Sequence, residues 1–306
     1  MDVSNKVCII TGSSQGLGKE FARILLDHGA KVCLSDLQEE ESGGEKSATT
    51  FTEFRNLYGA ENVFYVKCDV TKEKEFVALF DGAEKHFQVD CVDMLVNNAG
   101  INTNFGWRKC MEVNIIGVMT GTDIALKRMK QAAKKGAIIN TASMAGFTTG
   151  MGERAIGYSA SKHGVVALTR TLATDYKYHG VSIKAICPAW TDTEIVSSAL
   201  EQAPQDRVPQ FKNSIKKSGG LMTAEYVAEG FYKLATECGN GTILSVLKDT
   251  PYFVVPDDAN IKVLFLAIMA KLIGKLTGNN LVTANQLAIG LVLVLVIMIF
   301  LINMLF

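Results

Sequence analysis

Short apolar runs alternate along most of this chain with longer stretches whose apolar residues recur every three or four positions. The runs at 6–10, 31–35, 63–67, 94–97, 137–142, 181–187 and 242–246 are rich in Val, Ile and Cys and have the length of buried strands. Between them, 17–28, 71–87, 107–134, the segment that carries Tyr158 and Lys162, and 223–235 show helical periodicity. Residues 38–59 hold Gly43 and Gly44, the mark of a loop or an irregular helix start. Residues 194–220 are polar, with scattered Gln, Lys and Ser, and read as a mobile segment over a cleft. Strands alternating with helices at this spacing predict right-handed crossovers and one doubly wound parallel α/β sheet. Ligands gather at the carboxyl ends of the strands in such a sheet. Gly12, Asp36, Asp69, Asn97, Ser143 and Pro188 all fall there.

The first strand runs directly into Gly12, Ser14, Gln15, Gly16, Leu17 and Gly18, where a helix begins. Glycines placed between strand and helix let the backbone approach a pyrophosphate, which then sits on the positive helix amino terminus. Asp36 closes the second strand, at the distance of about 20 residues where a carboxylate can bind both hydroxyls of an adenosine ribose. The same charge repels a 2′-phosphate, and neither Gln15 nor Leu37 offers a compensating cation. The pattern therefore predicts a dinucleotide-binding (Rossmann) domain that prefers NAD to NADP. Asp69 and Val70 follow the third strand, where Asp69 can hydrogen-bond an adenine.

Tyr158 and Lys162, four apart, share one side of a helix. A neighbouring ammonium favours the phenolate, so the spacing predicts a lowered tyrosine pKa and a usable proton acceptor. Asn114 is a polar residue within the stripe Val113, Ile115, Ile116 and Val118, and needs partners. Ser143 stands at the carboxyl end of the fifth strand. Val165, Val166, Leu168, Leu172, Ala173 and Tyr176 make an apolar arc wider than one sheet contact requires, which predicts a subunit interface.

Composition narrows the alternatives. Lys plus Arg and Asp plus Glu balance at 31 each in 306 residues, with no basic run to follow a phosphate backbone, which argues against a nucleic-acid partner. The seven Cys are scattered without a CxxC pair, and the four His are equally dispersed. They predict reduced core thiols and no metal site.

In this order, Thr11, Gly12, Gly16 and Gly18, then Asn97 through Gly100, Asn114, Ser143, Tyr158 with Lys162, and Pro188 through Thr193 resemble the short-chain dehydrogenase/reductase family over about residues 4–250. Residues 98–102, 139–146, 158–164 and 240–244 resemble, within it, the NAD-linked 15-hydroxyprostaglandin dehydrogenases. The resemblance implies a catalytic tetrad of Asn114, Ser143, Tyr158 and Lys162. In it Tyr158 takes a hydroxyl proton, Ser143 bonds the substrate oxygen, Lys162 also holds the nicotinamide ribose, and Asn114 organises a water that relays the proton. It also implies cofactor contacts from Gly12, Ser14, Gln15, Gly16, Leu17, Gly18, Asp36, Asp69, Val70, Asn98, Ala99, Gly100, Tyr158, Lys162, Pro188, Thr191 and Thr193. A homodimer is the family's implied assembly. Three departures stand out. Ala189 replaces the usual glycine after Pro188, Ala155 occupies the position of a substrate-orienting Gln in the prostaglandin enzymes, and the loop from Ser143 to Tyr158 is about two residues longer. The implied activity is hydride transfer between NAD and a secondary alcohol or ketone on an apolar, lipid-type substrate: an oxylipin, a retinoid or a steroid. The alternatives are an NAD(P)H-dependent carbonyl reductase and a membrane-bound nucleotide sensor without turnover, and nothing in nucleotide sensing requires the whole tetrad.

The end of the chain differs in character. Residues 277–306 contain no charged side chain, and 287–306 form a nearly continuous apolar stretch, long enough as a helix to cross a bilayer's hydrocarbon core. Just upstream, Lys262, Lys271 and Lys275 punctuate an apolar segment, as in an interfacial helix whose cations keep the preceding domain cytosolic. The predicted organisation is a catalytic domain over 1–255, a linker and amphipathic interfacial segment over 256–283, and a transmembrane tail anchor over 284–306, in the endoplasmic reticulum. Asn240, Gly241 and Thr242 form a glycosylation sequon, which reads here as a turn before a strand.

Overall fold

A computed structural model describes residues 1–37, 45–148, 155–176, 179–249 and 252–255. The unit Met1–Val255 is compact, and the second unit, Pro256–Phe306, with its expected interfacial and membrane-spanning segments, lies outside the described residues. Among the described residues no helix is long and apolar enough to cross a membrane.

The chain runs β1 (Val7–Thr11), α1 (Gly16–Asp27), β2 (Lys31–Ser35), α2 (Glu45–Tyr58), β3 (Val63–Tyr65), α3 (Glu73–Phe87), β4 (Met94–Asn97) and α4 (Trp107–Met111). It continues through α5 (Val118–Gln131), β5 (Ala137–Thr141), α6 (Ile156–Tyr176), β6 (Ser182–Pro188), α7 (Glu194–Glu201), α8 (Val208–Lys217), α9 (Ala224–Thr236), β7 (Ile243–Val246) and β8 (Phe253–Val254). The strands form one sheet in the order β3-β2-β1-β4-β5-β6-β7-β8. Neighbours from β3 to β7 are parallel, and β8 pairs antiparallel with β7. The order reverses between β1 and β4, so their carboxyl ends open a crevice at the switch point.

Strand alternation divides the core between the two faces of the sheet. Cys8, Ile10, Val32, Leu34, Met94 and Val96 pack with Phe21 and Leu25 of α1 and with Val227, Phe231 and Leu234 of α9. Val7, Ile9, Cys33, Leu95 and Ile138 face Phe76, Leu79 and Phe80 of α3 and Ile124, Ala125 and Met129 of α5. The rings of Phe21 and Phe231 stack at 4.2 Å and lock α1 against α9. Both faces are thus covered, which is why the central strands read as continuous apolar runs. Thr223 caps α9 as its position predicts, accepting the Tyr226 N–H at 3.2 Å. At the other end of α9, buried Lys184 donates from β6 to the carbonyls of Leu234 and Ala235 at 3.0 and 3.2 Å.

The structure refines four local expectations. The helical pattern within residues 107–134 carries a change of register. These residues form α4, a π-helical turn at Glu112–Gly117 and α5, which ends at Gln131. Residues 194–220, the polar segment expected over the cleft, contain α7 and α8, and Trp190 packs on Phe211 of α8 with ring centroids 4.8 Å apart. The strand β7 is not the last, because β8 adds an edge to it. β3 stops at Tyr65, short of residues 66–67. The Asn240 amide, by contrast, serves the turn expected of it. It accepts the Ile183 N–H at 2.8 Å and donates to Ala173 O at 2.7 Å, so its amide is engaged on both sides of the turn. All seven cysteines are free thiols, and no metal-binding cluster occurs among the described residues.

Candidate active site

The crevice begins where β1 ends. Thr11 Oγ1 accepts the N–H groups of Asn98 and Ala99, both at 3.1 Å, and Asn98 Nδ2 donates to the carbonyls of Thr11 and Gly12 at 3.1 and 2.9 Å. This lattice draws the glycine loop down onto the segment after β4. A Cβ on Gly12 would lie 2.8 Å from Ala99 Cα, and Gly12 has φ +64°, so the position admits only glycine without rearrangement. A Cβ on Gly18 would lie 2.1 Å from Gly12 O, which sets the closeness of α1 to the loop.

Several groups on this loop fit a dinucleotide. No side chain caps the amino terminus of α1, so its first N–H groups are available to an anion. Ser14 Oγ is buried without a hydrogen-bond partner among the described residues. The Ser14 N–H donates to Asp36 Oδ2 at 3.0 Å and the Leu37 N–H to Asp36 Oδ1 at 2.8 Å, which fixes the carboxylate and leaves lone pairs on both oxygens. A cavity of about 540 Å³ is lined by Gln15 and Gly16 on the loop side and by Thr193, Ser197 and Ser198 on the side of α7. Thr191 is buried and Thr193 approaches the Cβ position of Gly16 at 3.5 Å. Asp69 Oδ1 accepts from the N–H and hydroxyl of Thr71, which, with Lys109 and Lys72 nearby, hold its carboxyl below the usual value despite opposing desolvation. Val70 is buried and meets the Cβ position of Gly117 at 3.0 Å, wedged beneath the π-helical turn.

Asn114, Ser143, Tyr158 and Lys162 converge at the carboxyl ends of β4, β5 and β6. The Tyr158 phenol lies under the influence of the neighbouring Ser143 hydroxyl, whose Oγ donates to Pro188 O at 3.5 Å and accepts the Ala145 N–H at 3.1 Å. Lys162 Nζ lies 5.6 Å from the Tyr158 ring centroid and donates to Thr141 O at 2.7 Å. Asn114 is fully buried in the π-helical turn and grips one residue twice, accepting the Ile101 N–H and donating to Ile101 O, both at 2.8 Å. Its amide also reaches Cys110 Sγ and Ser161 Oγ at 3.3 Å each. These are the partners its place in an apolar stripe demanded. Gly100 joins the two halves of the site, since its Cβ position is 3.4 Å from Asn114 Oδ1 and 3.7 Å from Lys162 Nζ.

The charge states differ from the expectation for Tyr158. Burial is the dominant influence and pushes its phenol above the ordinary value, and the Ser143 hydrogen bond only partly opposes this. Burial acts on Lys162 in the opposite sense, from the ordinary 10.5 down to about 8. Desolvation thus favours the neutral form of both partners, and the ammonium's attraction for a phenolate does not overcome it in the ligand-free site.

Sequence reasoning missed a support beneath these residues. Asn97 Nδ2 donates to Thr122 Oγ1 at 3.0 Å and to Asn140 Oδ1 at 2.9 Å, and Asn140 Nδ2 donates to Thr169 Oγ1 at 3.0 Å. This buried ladder ties β4 and β5 to α5 and α6 just below the tetrad. Its signal was the presence of Asn97 and Asn140 in otherwise apolar strands.

A doubly wound sheet with a nucleotide-fitting loop and a Tyr–Lys pair at its switch-point crevice defines an oxidoreductase of the dinucleotide-binding class. The short chain dehydrogenase family model matches residues 6–204, and the chain belongs to that family. It is 33% identical over 254 residues to the 15-hydroxyprostaglandin dehydrogenase [NAD(+)] of Mus musculus, covering 80% of this chain and 91% of that protein. It is 30% identical to the zerumbone synthase of Zingiber zerumbet, covering 78% of this chain and 90% of that one. Among solved structures it is similar to levodione reductase, with a TM-score of 0.70 and 28% identity over 80% of this chain and 96% of that one. The chain is an alcohol dehydrogenase working on the alcohol/ketone couple with a nicotinamide cofactor.

The Lys162 shift has a consequence for stability. Its folded-state value lies below the unfolded one, so between about pH 8 and 10.5 the unfolded chain holds a proton that the folded chain has lost. The cost of burying the ammonium is fully present below that window and is relieved as pH rises through it. In chemical denaturation of the ligand-free protein, the stability of Lys162→Met relative to wild type should fall by about 3 kcal/mol across this window. A difference that stays flat from pH 8 to 10.5 contradicts the burial of a charged Lys162.

Proposed function

We propose that the protein uses NAD to oxidise a secondary alcohol on an apolar, lipid-type substrate such as an oxylipin, a retinoid or a steroid. The observation that carries this reading is the convergence of Tyr158, Ser143, Lys162 and Asn114 on one point of the crevice. Bound NAD would supply the hydride acceptor and, through its oxidised ring, a positive charge that favours the phenolate. Tyr158 takes the hydroxyl proton, and Ser143 holds the substrate oxygen where charge develops. Lys162 fixes the cofactor ribose, and the Asn114 turn keeps the proton path in place. Asp36 takes the adenosine ribose hydroxyls and selects against a 2′-phosphate; the absence of a cation at Gln15 and Leu37 supports that choice. Gly12, Ser14, Gln15, Gly16, Leu17 and Gly18 would cradle the pyrophosphate, and Asn98, Ala99 and Gly100 would also hold the cofactor. Pro188, Thr191 and Thr193 close the nicotinamide side, and Asp69 and Val70 the adenine side. The names of its relatives, which include a (+)-borneol dehydrogenase 2 of Salvia officinalis at 29% identity, support an apolar substrate.

One observation favours the reverse direction as a second reading. Burial keeps Tyr158 protonated, and a protonated phenol suits donation to a carbonyl, as a reductase requires. The pH dependence separates the two: oxidation should rise with pH as the phenol ionises, and carbonyl reduction should fall. The arc of α6 expected at a subunit interface is taken up in the protein's own core, with Val165, Val166 and Ala173 buried, and it is exposed Ile116 and Met119, next to and on α5, that support a homodimer.

A panel of lipid alcohols, with NADH formation followed by absorbance and NAD compared with NADP, tests the assignment. Tyr158→Phe should lower turnover by about 10²-fold or more while NAD still binds. Asp36→Ala should narrow the preference for NAD. Oxidation at the wild-type rate by Tyr158→Phe, or equal use of NADP by the wild type, contradicts it.

We further propose that residues 284–306 anchor the enzyme in the endoplasmic reticulum membrane with the catalytic domain cytosolic, placing the crevice beside a lipid store. The uncharged stretch 277–306 supports this reading. Full-length protein should resist carbonate extraction from membranes, and a chain ended after Val255 should be soluble and bind NAD. Release of the full-length protein by carbonate would remove the anchor and leave the dehydrogenase assignment standing.

A further inference from the structure

The helix α7 forms one wall of the crevice, yet none of its residues is buried. Val196, Ala199 and Leu200 are only half-buried, so apolar packing alone holds it weakly in register across from the glycine loop. The polar contacts on its inner side come from the segment after β4. Asn102 Nδ2 donates to Ser198 Oγ at 2.9 Å and to Ile195 O at 3.2 Å, and Asn104 Nδ2 donates to Ser198 O at 3.2 Å. The Asn102 side chain is itself fixed, because its Oδ1 accepts the Asn104 N–H at 3.0 Å and only 9% of the residue is exposed. Its amide therefore has a fixed direction, and that direction is toward α7.

What lies on either side of Asn102 gives the contact meaning. Its neighbour Ile101 is the residue that Asn114 grips at both N–H and C=O. Ser198, which Asn102 holds, lines the cavity together with Gln15, Gly16 and Thr193. Two consecutive residues thus join the buried π-helical turn that carries Asn114 to the helix that faces the glycine loop. A displacement of α7 away from the loop must break the Asn102 bonds or pull on a segment that Asn114 anchors.

We propose that Asn102 is a positioning residue that latches α7 over the nucleotide and sets how long the nucleotide stays bound. The proposal rests on the dinucleotide reading given above. It gives the Nδ2 and Oδ1 atoms separate duties: Oδ1 shapes the loop, and Nδ2 holds the helix. Ser198→Ala removes one of the two acceptors of Nδ2, and Asn102→Asp made on that background removes the remaining bond to Ile195 O, since it keeps the Oδ1 acceptor and finds no hydroxyl to donate to the new carboxylate.

The test uses both variants and two readouts. Hydrogen exchange of the 194–201 amides is measured in the ligand-free protein, and NADH release is followed by stopped-flow fluorescence after a chase with excess NAD. Each variant should speed both processes by about fivefold or more, the worth of a single hydrogen bond, while exchange in the glycine loop stays as in wild type. Should the double variant fail to fold, Ser198→Ala carries both measurements. Unchanged exchange across 194–201 in the folded variants overturns the latch. Faster exchange with unchanged NADH release overturns its control of nucleotide residence. A wild-type protein that does not bind NADH, with the exchange difference still present, overturns that control together with the dinucleotide reading and leaves the contact between Asn102 and α7 intact.

Discussion

Lys162 is a cation removed from water and given a backbone carbonyl, Thr141 O at 2.7 Å, in return. Such a placement is tolerable only if the surroundings are rigid enough to keep the carbonyl where it is. The buried ladder Thr122–Asn97–Asn140–Thr169 supplies that rigidity, since it crosses from α5 through β4 and β5 to α6, the helix that carries the lysine. Thr141 closes β5 one residue beyond Asn140, so the ladder and the lysine's acceptor belong to one strand. The same desolvation acts on Tyr158 one helical turn earlier and raises its phenol. The geometry of the tetrad and its charge states thus have a common origin in burial.

Much of this was readable in the chain. The strands β1, β2, β4, β5, β6 and β7 fall on apolar runs because both faces of the sheet are covered, which leaves no solvent-facing alternation to blur the signal. The glycine loop was legible because Gly12 and Gly18 answer close approaches that no other residue fits. The two-residue β8 carries too little pattern to stand out, and its pairing with β7 is settled by tertiary context. The break between α4 and α5 was hidden for another reason. A π-helical turn needs no glycine or proline, and Glu112–Gly117 continues an apolar stripe while shifting its phase.

Charge and partnership were the least legible. The spacing of Tyr158 and Lys162 correctly brings them together, but spacing says nothing about dielectric, and burial reversed the expected direction for the phenol. Asn102 shows the same limit from the other side. It stands in the stretch that resembles the family, yet its bond to Ser198 joins residues 96 apart in sequence, and no local pattern points to it. Residues 194–220 read as a polar segment because α7 and α8 bury no residue fully, and α7 meets the segment after β4 through side-chain bonds that no local pattern shows.

The claim on which this account turns is that burial, more than the neighbouring ammonium, governs the charge of the site before a nucleotide binds. Ultraviolet difference titration of the tyrosine phenolates, wild type minus Tyr158→Phe in the ligand-free protein, tests it directly. The account predicts that the Tyr158 phenol ionises above the ordinary tyrosine value of 10. Ionisation of Tyr158 below 10 would mean that Lys162 dominates, and would contradict the account.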